Sequence, residues 1–369
     1  MVFTFWGANT HHISSIEALR WHSQLIKEWN DANSSNQEKW IPVDWIEIDA
    51  FLGLLLLAGV YRGSQEALHE LWSRHSSRPI FFATLSVNRF KLLLRFCRFD
   101  NKVTREQRRT TDKLAAFRDV WTMFVAQLRK FYIPGTDMTV VEQLVQFRGR
   151  CPFKQYIPSK PAKCGVKVVW WYCDGATSYP LNAEVYLGKQ PAQEREDEVN
   201  QGEWVVTTVI SPWYRSGRNL VGDNFFTSVA LVEELLRQVL TYVGTVPPPM
   251  LSRNWQKLSS AFAFHENKTL VSYVPKKYKS AVLISTMHHD THVDTDMKKP
   301  DIILHYSDTT AGVDNMDHMV TVISCKRKIN RWPMVLWWRC KFHCLAMQCA
   351  GLEKRIKMCT TSSLPGWVG

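Results

Sequence analysis

The spacing of apolar residues changes twice along the chain, and that switch limits the folds open to it. Up to residue 131, "SIEALRWHSQLIKEWN", "WIEIDAFLGLLLLAGVYRG", "SVNRFKLLLRFCRF" and "KLAAFRDVWTMFVAQLRKFY" place apolar side chains three and four apart, the period of helices with one buried face. "DANSSNQ", "RGSQ" and "HSSRP" separate them. After "IPGTDM" the runs become short and β-like: "TVVEQLVQF", "CGVKVVWWYC", "AEVYL", "NLVGD" and "TYVGTV". One helix, "TSVALVEELLRQVL", interrupts them, with Thr227 or Ser228 as its N-cap. Residues 250–300 are less regular, with a strand-like "SAVLISTM" and a polar "HHDTHVDTDMKKP". From Asp301 the pattern is helical again, through a basic turn, "CKRKINRWP", to a helix rich in Trp and Cys. A helical start, a β/α middle and a helical end predict two helical segments packed around an α/β core.

Composition narrows the partners. The 369 residues carry 46 Lys and Arg against 34 Asp and Glu, a net charge of +12, which favours polyanions over small-molecule substrates. A membrane is not expected, because the longest apolar run, "FLGLLLLAGVY", is well short of the roughly 20 residues of a spanning helix. It reads as a buried helix entered through the acids of "WIEIDA". The N-terminus lacks the pattern of a secretory signal, and nine irregularly spaced Cys suit reduced thiols inside the cell. Sixteen Trp predict a dense aromatic core.

Three carboxylates stand where chemistry is plausible. Asp223 ends the strand "NLVGD", and Asp314 and Asp317 in "GVDNMD" fall on one face of a helix. A strand-end acid and a helix acid are parts of a two-metal phosphoryl-transfer site, in which ions about 3.5–4 Å apart serve the attacking and leaving oxygens. Taken alone, each acid reads more readily as a helix cap or a solvated charge, and the spacing by itself is weak evidence.

Four motifs occur in order: "EQLVQFRGRCPFKQYIPSKPAKCGVKV", "GDNFFTS", "AGVDNMDHM" and "CKRKINRWPM". Together with "TREQRRTTDKLAAFRDVW", they resemble the piggyBac transposase family, and in particular its domesticated relatives, over about residues 45–345. The resemblance implies an α/β fold. An RNase H-like catalytic core (137–248 and 301–323) would carry an insertion domain (249–300). A split all-helical dimerisation and DNA-binding domain (1–136 and 324–369) would flank it. It also implies DDE chemistry at TTAA targets with Mg²⁺ or Mn²⁺, double-stranded DNA as partner, a homodimer and a nuclear location. Asp223 and Asp314 match two catalytic, metal-binding acids, and Asp317 a further acid beside the latter.

The first catalytic acid is missing. The family pattern places an Asp directly before "EQLV", and here that residue is Val141. Glu142 is one residue on and should leave the sheet on the opposite face. Asp137 has the right parity but lies roughly 13 Å away along the strand. The expectation is a DNA-binding protein with impaired catalysis. The alternatives are a residually active metal-dependent nuclease and a non-catalytic protein-interaction scaffold.

Arg148, Arg150, Lys154, Lys160, Lys163 and Lys167 follow "LVQF" with no acid among them, a plausible track for DNA phosphates. Lys326, Arg327, Lys328 and Arg331 form a second cluster, which could also complement the preceding helix C-terminus. Zinc is not expected. Cys340, His343, Cys344 and Cys349 lie on a predicted helix without zinc-knuckle spacing, and His288, His289, Asp290 and His292 read as an exposed loop. The family's C-terminal cysteine-rich module and long acidic N-terminal tail are not seen in this sequence, which puts recognition of specific DNA ends in question.

Overall fold

The computed structural model describes residues 23–32, 40–63, 66–75, 78–188, 201–247, 256–322 and 329–349. Its helices are α1 (Ser23–Ala32), α2 (Trp45–Val60), α3 (Leu68–Leu71), α4 (Pro79–Thr84), α5 (Val87–Phe96), α6 (Lys102–Thr111), α7 (Arg118–Phe131), α8 (Gln201–Ile210), α9 (Val229–Arg237), α10 (Asp301–Val322) and α11 (Trp332–Cys349). Its strands are β1 (Asp137–Gln146), β2 (Lys154–Tyr156), β3 (Cys164–Asp174), β4 (Pro180–Val185), β5 (Asn219–Gly222), β6 (Thr241–Val246), β7 (Ser260–His265), β8 (Lys268–Lys276) and β9 (Lys279–Ser285). The described residues fall into two compact units: one draws on 1–124, 147–153 and 319–353, the other on 125–146 and 154–318.

The first unit is helical with an aromatic core. Asp44 caps α2 by accepting from the Glu47 N–H at 2.7 Å, and Ile48, Phe51, Leu52, Leu54 and Leu55 are buried behind it. The apolar run is therefore a core helix, and no described helix is long and apolar enough to cross a membrane. Trp29 and Trp40 meet the Phe96 ring edge-on, Trp72 packs on Phe81 and Phe90, and Phe99 lies between Phe117 and Trp337. Many of the Trp residues are consumed in such contacts, worth about 0.5–1.5 kcal/mol per ring pair beyond burial. The α6 helix buries none of its own residues. A carboxylate beneath it supplies the anchor: Asp100, 1% exposed, accepts from Arg105 at 2.7 and 2.5 Å and from Arg108 at 2.9 Å.

In α11, His343 is fully buried with Nδ1 2.7 Å from the Arg339 carbonyl. Burial first, and the Arg339 charge second, hold its pKa well below 6.5. The native ring therefore refuses a proton that the unfolded chain accepts. Stability should fall by about 1.4 kcal/mol per pH unit as pH drops below 6.5 towards the lowered native pKa. Urea unfolding at pH 7, 6 and 5 should show this slope in wild type and a shallower one in His343→Gln.

The second unit is built on one nine-stranded sheet in the order β2-β3-β1-β5-β6-β9-β8-β7, with β4 also on β3. β1 is antiparallel to β3 and parallel to β5, β4 is antiparallel to β3, and β6 is parallel to β5. The series β4-β3-β1-β5-β6, three antiparallel strands then two parallel ones, is the strand order of an RNase H-like core. Within residues 256–300, β9 pairs antiparallel with β6, and β8 and β7 continue the same sheet. Without them β6 would present an open row of N–H and C=O groups, which explains the extension.

Helix α10 covers one face, where Ile302 and Ile303 join Val221, Val243, Val271 and Leu283 in one buried cluster. It is tied to β1 by Thr139 Oγ1, which donates to the Thr309 carbonyl at 3.0 Å, and by His305 beside Asp137 at 3.1 Å. On the other face Gly222 lies against Tyr242, whose hydroxyl would be 2.5 Å from any Cβ placed there. Ser228 caps α9, accepting from the Leu231 N–H at 3.0 Å.

Candidate active site

The β1–β5 ladder ends at Val140 opposite Gly222, so Val141 and Asp223 are the next residues on adjacent parallel strands. Asp137 and Thr139, which share the parity of Val141, both touch α10. Val141 is thus presented to the face that α10 covers, the one from which Asp314 would have to act. That face receives an isopropyl group with no lone pair.

Asp223 sits in a tight loop of its own making. Its Oδ1 accepts from the Phe225 N–H at 3.0 Å, and its carbonyl accepts from the Phe226 and Thr227 N–H groups and from Thr227 Oγ1. Thr227 Oγ1 in turn meets the buried Tyr242 hydroxyl at 2.8 Å. Burial raises the pKa of Asp223 above the ordinary carboxylate value. The Phe225 N–H opposes this, the charge of Glu142 adds to it, and Lys160 works against it.

Glu142 is the neighbouring acid, and its carboxylate is already engaged. Lys167 Nζ lies 2.5 Å from Oε2 and Lys160 Nζ 3.6 Å from Oε1. Lys167 pairs across the ladder with Leu144, which shares the parity of Glu142, so the acid lies on the face opposite Val141. The ladder slips between Val141↔Trp171 and Glu142↔Val169, leaving Trp170 as a bulge on β3. Asp137, the other substitute considered, accepts from Asn219 Nδ2 at 3.0 Å beside His305. Neither carboxylate lies at the position of Val141 beside Asp223. Asp314 and Asp317 are both in α10, but their side chains lie outside the described residues.

The cations divide. The sequence left the series after "LVQF" without a neutralising acid, and that expectation is corrected, since Glu142 neutralises Lys167 and Lys160. Lys167 is 9% exposed, with its ammonium 4.4 Å from the Phe225 ring centroid, so it belongs to the site's wall rather than to a surface track. Lys154 and Lys163 are exposed in the second unit, and Arg148 and Arg150 are exposed in the first. Arg331 is half-buried and donates to the Cys97 and Leu94 carbonyls at 2.8 and 2.6 Å. It does complement a helix C-terminus, that of α5 rather than of the preceding helix, and its donors are used internally. Lys326, Arg327 and Lys328 lie outside the described residues. Sequence reasoning passed over Phe225. Its only signal was an aromatic pair directly after "GDN".

Residues 20–344 match the family model described as Transposase IS4. The chain belongs to the piggyBac-type DDE transposase family. A piggyBac transposase synaptic complex with hairpin DNA, solved by cryo-EM, superposes with a TM-score of 0.83 at 33% identity, over 92% of this chain and 72% of that one. Human PiggyBac transposable element-derived protein 3 is 22% identical over 235 residues, 62% of this chain and 38% of that protein. The human Chimeric ERCC6-PGBD3 protein matches equally over 62% of this chain, which is 21% of its own length. The matches thus cover well under half of either curated relative.

DDE transposases normally use divalent metal ions. The described donors of this piggyBac-type site do not fit a pair of them: Val141 offers no oxygen, Glu142 is held by two ammonium groups, and Asp137, on the face of Val141, is engaged by Asn219 and His305 four residues back along β1. Among the described residues no group of three or more His, Cys, Asp or Glu side chains is arranged to hold a metal ion. In the Cys/His helix, Cys340 and His343 are buried in the first unit's core.

Proposed function

We propose that this chain is a transposase-derived nuclear protein that binds double-stranded DNA and is impaired in cutting it. The observation that carries the reading is the aliphatic side chain of Val141 beside Asp223, on the face covered by α10. Losing even an outer partner of a metal ligand typically costs about 10–100-fold, and losing a carboxylate that would touch the ions directly should cost more. Any residual turnover would need Mg²⁺ or Mn²⁺ on Asp223 and Asp314, with Asp317 as a further acid beside the latter. DNA contacts fall to the exposed Arg148, Arg150, Lys154 and Lys163, with Lys160 at the site's rim. The helical segments before and after the core take the dimerisation and DNA-binding role, and the target class is TTAA-containing DNA.

Purified protein mixed with hairpin or nicked TTAA duplexes and Mg²⁺ or Mn²⁺ should bind without cleaving. Cleavage that disappears in Asp223→Ala would overturn the impaired-catalysis reading. Affinity should fall with salt at a log–log slope of about −0.9 per neutralised phosphate, and Lys163→Ala should make that slope shallower by about one. A flat salt response would favour an interaction scaffold instead.

A further inference from the structure

We propose that Phe225 is a stacking platform for an unpaired nucleobase, a role that rests on the DNA-binding reading above and adds a base-contacting residue to it. Phe225 and Phe226 are consecutive in one loop, yet Phe226 is 1% exposed and Phe225 38% exposed. The exposed ring is not a loose one. Its main-chain N–H is fixed on Asp223 Oδ1, and its ring meets Phe226 edge-on at 5.2 Å. From behind, Gly202 of α8 approaches so closely that a Cβ there would collide with the Phe225 carbonyl. The Lys167 ammonium stands 4.4 Å from the ring centroid and is itself held by Glu142.

A rigid, partly exposed aromatic ring beside a strand-end carboxylate and a pinned ammonium has the composition of a single-strand nucleic-acid site, where bases stack on aromatic faces and cations follow the backbone. Lys160, with its side chain 33% exposed and 3.6 Å from Glu142, adds a cation to the same cluster. A base within a duplex has both faces covered by its neighbours. Only a base that is unpaired or turned out of the stack offers a face to Phe225. The ligand is therefore an unpaired nucleotide at a strand end or distortion, and not the duplex as such.

The test is fluorescence titration of the full chain with two DNAs of equal length, one blunt and one with a 2-aminopurine-bearing single-stranded overhang. Wild type should quench 2-aminopurine. Phe225→Leu should lose the quenching and bind the overhang DNA about 5- to 150-fold more weakly, the range for one stacked base. Its salt slope and its affinity for blunt duplex should be unchanged, because no phosphate contact is removed. Phe225→Trp should restore quenching, which separates stacking from a structural role. Equal overhang binding by wild type and Phe225→Leu, or equal weakening on both DNAs, overturns the proposal. If wild type binds neither DNA, the DNA-binding reading fails, and this one with it.

Discussion

Replacing Asp100 by Ala should cost the helical unit about 3–5 kcal/mol, the range for removing one partner of a buried ion pair. The carboxylate is 1% exposed and takes three charge-assisted hydrogen bonds, two from Arg105 and one from Arg108. Arg108 also donates to the Ala115 carbonyl at 2.7 Å, so its guanidinium joins α6 to the turn before α7. With Asp100 gone, two partly buried cations face each other with nothing between them. The loss therefore exceeds that of the 0–1 kcal/mol typical of a surface pair. Because α6 buries no side chain of its own, hydrogen exchange across residues 102–111 should rise much further than in α2. Asp100→Asn keeps one acceptor oxygen and should lose less. Urea unfolding decides the matter, and a loss below about 1 kcal/mol for Asp100→Ala would show that the pair is as weak as an exposed one.

The same helix shows where reading the sequence stops. The "VTREQRRT" segment has no apolar stripe, so periodicity has nothing to detect, and its fold depends on an acid that precedes it. The "GEWVVTTVI" run of α8 is rich in Val, Thr and Ile, residues that favour strands. It is a helix because Val205, Val206, Val209 and Ile210 are buried together, while Asn182 of β4 donates to the Val209 carbonyl at 2.8 Å. β7 is hidden for the opposite reason: it is an edge strand with no fully buried residue, so its alternation is weak. The strands of the RNase H-like core were legible because each is a short apolar run bounded by turn residues. In the candidate site, Val141 and Asp223 could be located from motifs. The engagement of Glu142 could not, because it depends on Lys167, a residue distant in sequence that only the β1–β3 register brings beside it.

Restoring an acid at Val141 is the sharper test of that site. Val141→Asp should destabilise the metal-free protein by about 1–3 kcal/mol, since a half-buried apolar position would then hold a carboxyl group near Asp223. The burial and like charge that already raise the pKa of Asp223 would raise it further. Mn²⁺ should reverse the loss, because two carboxylates on adjacent parallel strands become a ligand pair once a cation lies between them. At a hundredfold excess over Kd the ion returns about 2.7 kcal/mol, seen as a rise in Tm that wild type does not show. Val141→Asn, nearly the same size without the charge, should gain little from Mn²⁺, and adding Asp223→Ala to Val141→Asp should abolish the gain. Glu142 should not compete for the ion, because leaving Lys167 would expose an unpaired ammonium at 9% accessibility against the Phe225 ring. If Val141→Asp shows no metal-dependent shift, one missing oxygen ligand is not what separates this site from a working one. The helix that carries Asp314 and Asp317 would then have to be out of place as well.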